Sequence, residues 1–171
     1  MNITLRRTLM VCVLAGALAL AIALVASPSP AHAGGATQIS GVAFYEEPGE
    51  CVDPEGVGDN YALDMNDGDL EGCLYTFVET ADCSPSGTYR ETGTELFVGE
   101  YNGEVGTFRT TYKFEAKYED CPNLVGEIFG RCQHPIMRSS GTGVFEGVRG
   151  RLDFKDEVET GTFFYRGHLR Y

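Results

Sequence analysis

The chain has 171 residues, with 13 basic and 25 acidic side chains and a formal net charge of −12. At roughly 150 residues per domain this is a single domain. Its first 33 residues hold Arg6 and Arg7 and no acid, so the remainder carries 11 bases against 25 acids. Binding to a polyanion is driven by counterion release at a basic stripe, so a field of this sign argues against nucleic acid as a partner. A hydrophobic share of 43%, with ten Phe and nine Tyr, excludes a disordered chain, because it can bury enough apolar surface to offset chain entropy.

Arg6 and Arg7 precede an almost unbroken apolar run from Leu9 to Val25, and Ser27-Pro28-Ser29-Pro30 leads on to Ala31-His32-Ala33. This is the order of a secretory signal peptide over residues 1–33, with cleavage after Ala33. The competing reading is an uncleaved anchor, but the run falls short of the ~20 residues that a span needs. Val11 stands before Cys12 where a lipoprotein signal wants a small residue. The expectation is a secreted domain over 34–171 with no membrane attachment after cleavage.

Along that domain apolar residues recur every second position. Strands are expected at 37–46, 61–65, 70–79, 87–92, 95–100, 107–118, 127–134, 149–155 and 165–171, each bounded by Gly, Pro, Asn or Asp. The clearest is Thr107–Tyr118, where Phe108, Thr110, Tyr112, Phe114, Ala116 and Tyr118 share one face and Arg109, Lys113 and Lys117 lie on the other. No stretch carries a convincing amphipathic helix. Eight or nine short strands point to an all-β sandwich or an up-and-down barrel, and only the barrel leaves no open edges. Charge is uneven: residues 34–105 hold 16 acids and the single base Arg90, whereas 106–171 hold 9 acids and 10 bases. The bases alternate with the apolar face of the late strands, which places them on the outer wall.

After export, Cys51, Cys73, Cys83, Cys121 and Cys132 sit in an oxidising setting, where five cysteines allow two bridges and leave one thiol. Reflection about a turn at Asn66-Asp67-Gly68-Asp69 brings Cys51 towards Cys83. Cys121 and Cys132 are then the second pair, and Cys73 is a buried free thiol beside Tyr75 and Phe77. No spacing matches a zinc site. Asp64, Asn66, Asp67, Asp69 and Glu71 crowd oxygens into one loop, yet without the EF-hand order, and residues that accept positive φ explain the loop as a turn. No metal and no cofactor is therefore expected. Hydrolase and phosphate-loop motifs are missing too, and His134 and His168 read as a strand-end and a surface residue.

The aromatic faces converge inside a closed barrel. Tyrosine needs a hydrogen-bond partner when buried, so Tyr75, Phe108, Tyr112, Phe114 and Tyr165 are the candidates to line a site for a small hydrophobic molecule, with ordinary core packing as the alternative. Phe97-Val98-Gly99, then Gly106-Thr107-Phe108, then Ser140-Gly141-Thr142-Gly143-x-Phe145-x-Gly147-x-x-Gly150 resembles the allene oxide cyclase-like and dirigent-like barrels, over about residues 60–171. The resemblance implies a single antiparallel up-and-down barrel of about eight strands with a central cavity, whose plant members act on or orient small hydrophobic molecules. No catalytic motif of those proteins matches here. The expected function is non-catalytic binding of a small apolar or aromatic ligand or of a surface partner, with a cofactor-free isomerase or cyclase as the alternative. Amino-terminal sequencing of the exported protein should begin at Gly34; recovery of the Leu9–Val25 run in the mature protein would remove the premise of secretion.

Overall fold

Strand alternation and strand pairing together build the observed architecture. The computed structural model describes residues 35–47, 50–52, 54, 56 and 58–171, so the expected signal peptide lies outside the described residues. In chain order the strands are β1 (Thr37–Tyr45), β2 (Tyr61–Gly68), β3 (Leu70–Cys83), β4 (Thr88–Tyr101), β5 (Glu104–Asp120), β6 (Val125–Pro135), the two-residue β7 (Thr142–Gly143), β8 (Arg149–Glu157) and β9 (Thr162–Arg170). One turn of 3-10 helix, Cys121–Asn123, joins β5 to β6. Every pairing is antiparallel, in the order β4-β3-β2-β1-β9-β8-β6-β5 with β4 returning to β5. The sheet is a closed up-and-down barrel of eight strands, with β7 as a short appendage on β5.

The expected break at 93–94 and all but the last residue of that at 66–69 fall inside strands. At Gly93 the chain runs straight on, because a Cβ there would collide with the Phe77 carbonyl and lie 2.8 Å from the Tyr112 ring. The glycine serves close packing rather than a turn. Asn66, Asp67 and Gly68 extend β2 to pair with β1, and only Asp69 makes the corner.

Inside the barrel one end is solid. Phe97, Phe108 and Phe145 are buried with centroids 4.9–5.7 Å apart, and Met65, Leu70, Val148, Leu152 and Leu169 complete this core. Phe145 belongs to the loop after β7, which folds across that end as a plug. Aromatic contacts of this kind add ~0.5–1.5 kcal/mol per pair beyond the area they bury. On the outer face of β2–β4 a second cluster forms from Cys51, Ala62, Tyr75 and Leu96, with Cys73, Phe77 and Val98 packed against it.

That outer cluster corrects two expectations. The bridges are Cys51–Cys73 and Cys83–Cys121, and Cys132 is the buried free thiol. The reflection assumed that β2 continues backwards to Cys51. Instead the pairing of β2 with β3 ends near Asn60, whose amide donates to the Thr76 carbonyl, and Cys51 meets Cys73 on the outer wall with Cα atoms 5.8 Å apart. Cys132 points inward from β6, away from Cys121 at the hairpin. Tyr75 is likewise not in the interior: it shares the outer face with Ala62 and Leu96, and its hydroxyl donates to the Val52 carbonyl at 3.0 Å. The two bridges are those of a protein that matures in an oxidising compartment.

Outside the late strands, Arg149, Arg151, Lys155, Arg166 and Arg170 are all exposed. Arg149 stands opposite Arg170, and Arg151 opposite His168. Arg151 pairs with Asp153 at 2.8 Å, while Glu115 takes both Arg131 and Arg90, whose hydrogen bonds hold its carboxyl below the usual range. These exposed pairs contribute little to stability.

Tyr112 faces inward and is buried, and Lys113 faces out. Tyr112→Ala should cost ~3–5 kcal/mol in equilibrium unfolding, against less than about 0.5 kcal/mol for Lys113→Ala. Equal costs at the two positions would overturn the phase of the longest strand.

Candidate functional site

The half of the interior opposite the aromatic plug is polar. Counting inward from Phe97 by twos along β4 gives Glu95, Gly93 and Glu91, and both acids are buried. On β5 the same count from Phe108 reaches Thr110 and Tyr112, on β6 it passes Cys132 and His134, and on β8 it continues from Leu152 and Phe154 to Asp156. Carboxylates buried without charged partners are costly unless hydrogen-bonded, and each of these acids has found partners.

Oε2 of Glu95 accepts from the Thr110 hydroxyl and from Nδ1 of His134, 2.5 Å away. The side chains of His134 and Glu95 are only 4% and 2% exposed. The other ring nitrogen, Nε2, is buried and has no hydrogen-bond partner. The ring is held between Phe154, at 4.5 Å, and Tyr112, at 6.1 Å. One layer nearer the rim, Glu91 accepts from three phenols: Tyr112 at 2.8 Å and Tyr61 at 3.1 Å on Oε1, and Tyr89 at 2.6 Å on Oε2. Burial, reinforced by the neighbouring Glu91 charge, raises all three tyrosines well above their ordinary value, so they remain donors.

The pair of acids Glu127 and Asp156 depends on a bulge. Lys117 opposes Phe129 but Tyr118 opposes Glu127, so Ile128 is an extra residue that swings Glu127 onto the inward face of β6. There it meets Asp156 over Gly130, where a Cβ would collide with Oδ2 of Asp156 and lie 2.6 Å from Oε1 of Glu127. Burial first and the Glu127 carboxyl second push Asp156 up to about 8. Asp156 thus keeps its proton at neutral pH. Oε1 of Glu127 has no N–H or hydroxyl donor, and the proton on Asp156 is what it is offered.

Between these groups lies a cavity of about 50 Å³, lined by Tyr45, Tyr61, Leu63, Glu95, Phe114, Cys132, His134, Phe154, Asp156 and Phe163. Tyr45 stands at its rim, 60% exposed, edge-on to Phe163 at 4.9 Å and to Tyr61 at 6.0 Å. The Cys132 thiol is pushed up, chiefly by burial, which makes it an inert wall atom rather than a nucleophile.

Of the residues singled out in the sequence, Phe114 lines this cavity. Tyr112 lies just beneath, tied to Glu91. Phe108 is in the solid end, and Tyr165 is in the core with its hydroxyl accepting the Leu70 amide at 3.0 Å. Tyr75 is outside the barrel. Sequence reasoning passed over Glu91, Glu95, Asp156 and Glu127. The first three continue the period-two phase of hydrophobic strands already recognised and were available to a stricter count. Glu127 was not, because the bulge reverses its side.

Among the described residues no three His, Cys, Asp or Glu side chains are placed to hold a metal ion. Asp64 and Asp69 of the acidic loop are occupied instead in accepting from the amides of Asn66, at 2.9 Å, and Ser40, at 2.7 Å. No protein-family model matches the chain, and no curated protein matches it.

The raised Asp156 has a thermodynamic signature. Between its ordinary 3.8 and about 8 the folded protein holds a proton that the unfolded chain releases, so the stability it contributes is complete below the lower value and is lost as pH rises through the upper one. The thermal midpoint should fall between pH 6 and 9 by scanning calorimetry, and Asp156→Asn should flatten that fall. A variant with the wild-type slope would show that another group carries it.

Proposed function

We propose that the protein is a secreted, non-catalytic binding protein that receives a small molecule in the polar mouth of its barrel. The observation that carries this reading is Nε2 of His134. It is a buried polar atom with no partner, on a ring that lines the cavity, is hydrogen-bonded to Glu95 and is packed between aromatic groups. An unsatisfied buried polar atom costs ~1–3 kcal/mol, and a ligand that hydrogen-bonds to it recovers that cost. Two disulfides and the signal-like leader support an extracellular setting, and the glycine pattern shared with the allene oxide cyclase-like barrels supports small-molecule traffic through such a mouth. About 50 Å³ is far below the ~300–1,000 Å³ of a site that encloses its ligand. The cavity therefore takes one end of the molecule, while the rest lies against Tyr45 and Phe163.

One observation favours a second reading, a cofactor-free isomerase. A Glu-backed imidazole and Asp156, a carboxyl raised by burial, share the cavity, and these are side chains of the kinds that move protons in acid–base catalysis. Native mass spectrometry of the protein from culture supernatant, followed by denaturation, distinguishes the readings. Binding predicts release of a non-peptide mass that is returned unchanged after incubation with fresh protein. Conversion to an isomer would establish the enzyme. An empty protein that takes up nothing from a fractionated supernatant would reject both readings in favour of a structural role.

A further inference from the structure

The outer wall of β8 and β9 reverses the charge of the molecule. From residue 34 onward the chain has 25 acids against 11 bases. Yet the outward positions of these two strands hold Arg149, Arg151, Lys155, Arg166 and Arg170 against only Asp153 and Glu157. The flanking strands add no acid here: β1 sets Gln38, Ser40 and Val42 beside His168, Arg166 and Phe164, and β6 sets Pro135 and Gln133 beside Arg151 and Asp153. Asp153 is committed to Arg151, and among the described residues Arg149, Lys155, Arg166 and Arg170 enter no ion pair. Arg149 lies directly opposite Arg170, and like charges so placed destabilise a sheet. At physiological salt a charge is screened beyond about 8 Å, so an anion at this wall meets the arginines and not the acids across the barrel.

Two open clefts lie along the same wall. One, of about 500 Å³, is lined by Gly147, Arg149, Gly150, His168, Arg170 and Tyr171. The other, of about 570 Å³, lies between β9 and β1, where Arg166 and the exposed Phe164 share it with Gln38 and Ser40. Arg170 of the first and Arg166 of the second are four residues apart on β9, which is ~14 Å at the rise of a strand. We propose that this wall is a docking surface for an acidic polysaccharide, whose spaced carboxylates are held in the arginine clefts while a sugar face lies on Phe164. The surface is on the outside of the barrel and is independent of the binding reading for the mouth.

The composition of the wall selects this partner. Four of its five bases are arginines, whose planar forks match a carboxylate in two parallel hydrogen bonds. In the second cleft an exposed ring, an amide, a hydroxyl and a guanidinium stand together, one partner each for the apolar face, the hydroxyls and the carboxylate of a sugar acid. Duplex nucleic acid carries one charge per ~1.7 Å of axis, and its width takes phosphates beyond two strands towards the acidic half. A bilayer is flat, so it touches a convex barrel wall only along the crest. An unbranched polysaccharide with one carboxylate per disaccharide is thin enough to follow β9 and keeps its charges over the bases.

Fluorescence anisotropy of the exported protein with an end-labelled hyaluronan decasaccharide, which has one carboxylate per disaccharide, tests this at low and at physiological salt. The decasaccharide should bind, with affinity falling as salt rises, and an uncharged dextran of equal length should bind at least about tenfold more weakly. Arg149→Ser combined with Arg170→Ser should weaken hyaluronan about tenfold or more. Lys113→Ser combined with Arg138→Ser removes the same charge outside the clefts and should change the affinity less than about twofold. Phe164→Ser should weaken hyaluronan several-fold without altering its salt dependence. All five side chains are exposed, so the variants should keep the wild-type thermal midpoint within a few degrees. No hyaluronan binding by the wild type at low salt would overturn the proposal, and so would equal losses from the two double variants. Tighter binding of a DNA duplex or of phosphatidylglycerol vesicles would overturn the polysaccharide in favour of that partner.

Discussion

Closure of the sheet, through β4 on β5 and β1 on β9, is the constraint on which the rest depends. A closed sheet has no edge, so every backbone donor along the eight strands can be satisfied without a covering layer. The same closure points all inward side chains at one another in a tube of small radius. Eight strands enclose a space that side chains just fill, and the sequence fills it unevenly. Phenylalanines and leucines pack one end solid, and acids, tyrosines and one histidine share the other.

Polar groups at that depth have to be reconciled with low dielectric, and three devices achieve it. Glu91 collects three phenols whose protons burial makes harder to lose. Glu95 is bound by a hydroxyl and an imidazole. Asp156 retains a proton and shares it with Glu127. Each device fixes the side chains that take part in it, and Nε2 of His134 stays without a partner, as do Oγ1 of Thr76 and Oδ1 of Asp153 elsewhere among the described residues.

The outside of the barrel serves a different end. The Cys51–Cys73 bridge holds the chain ahead of β2 against the wall, where Tyr75 anchors Val52 and Leu96 is shielded. The strands β2–β4 are therefore buried on both faces, the condition under which apolar residues appear at consecutive positions. Cys83–Cys121 ties the end of β3 to the β5–β6 connection, near the rim that carries Glu127 and Tyr118. The second bridge lies at the polar end, while the first lies level with Val98, beside the Phe97 layer.

Period two in the sequence was enough for the class, most of the strands and the side on which Tyr112 and Lys113 lie, because side-chain alternation is a local property of an extended backbone. It also held the positions of Glu91, Glu95 and Asp156, since each follows in phase from a recognisable apolar residue. Tyr75 was misplaced because β3 is apolar on both faces, Leu74 inward and Tyr75 outward, so alternation there carries no sign. Cysteine pairing and the inward turn of Glu127 were decided only by tertiary structure. The first depends on where an irregular segment folds back, and the second on a one-residue bulge that reverses phase at Ile128. The sequence by itself determined which residues share a strand face. Only closure determined which of those faces meet, because contacts across the barrel join residues that no local rule relates.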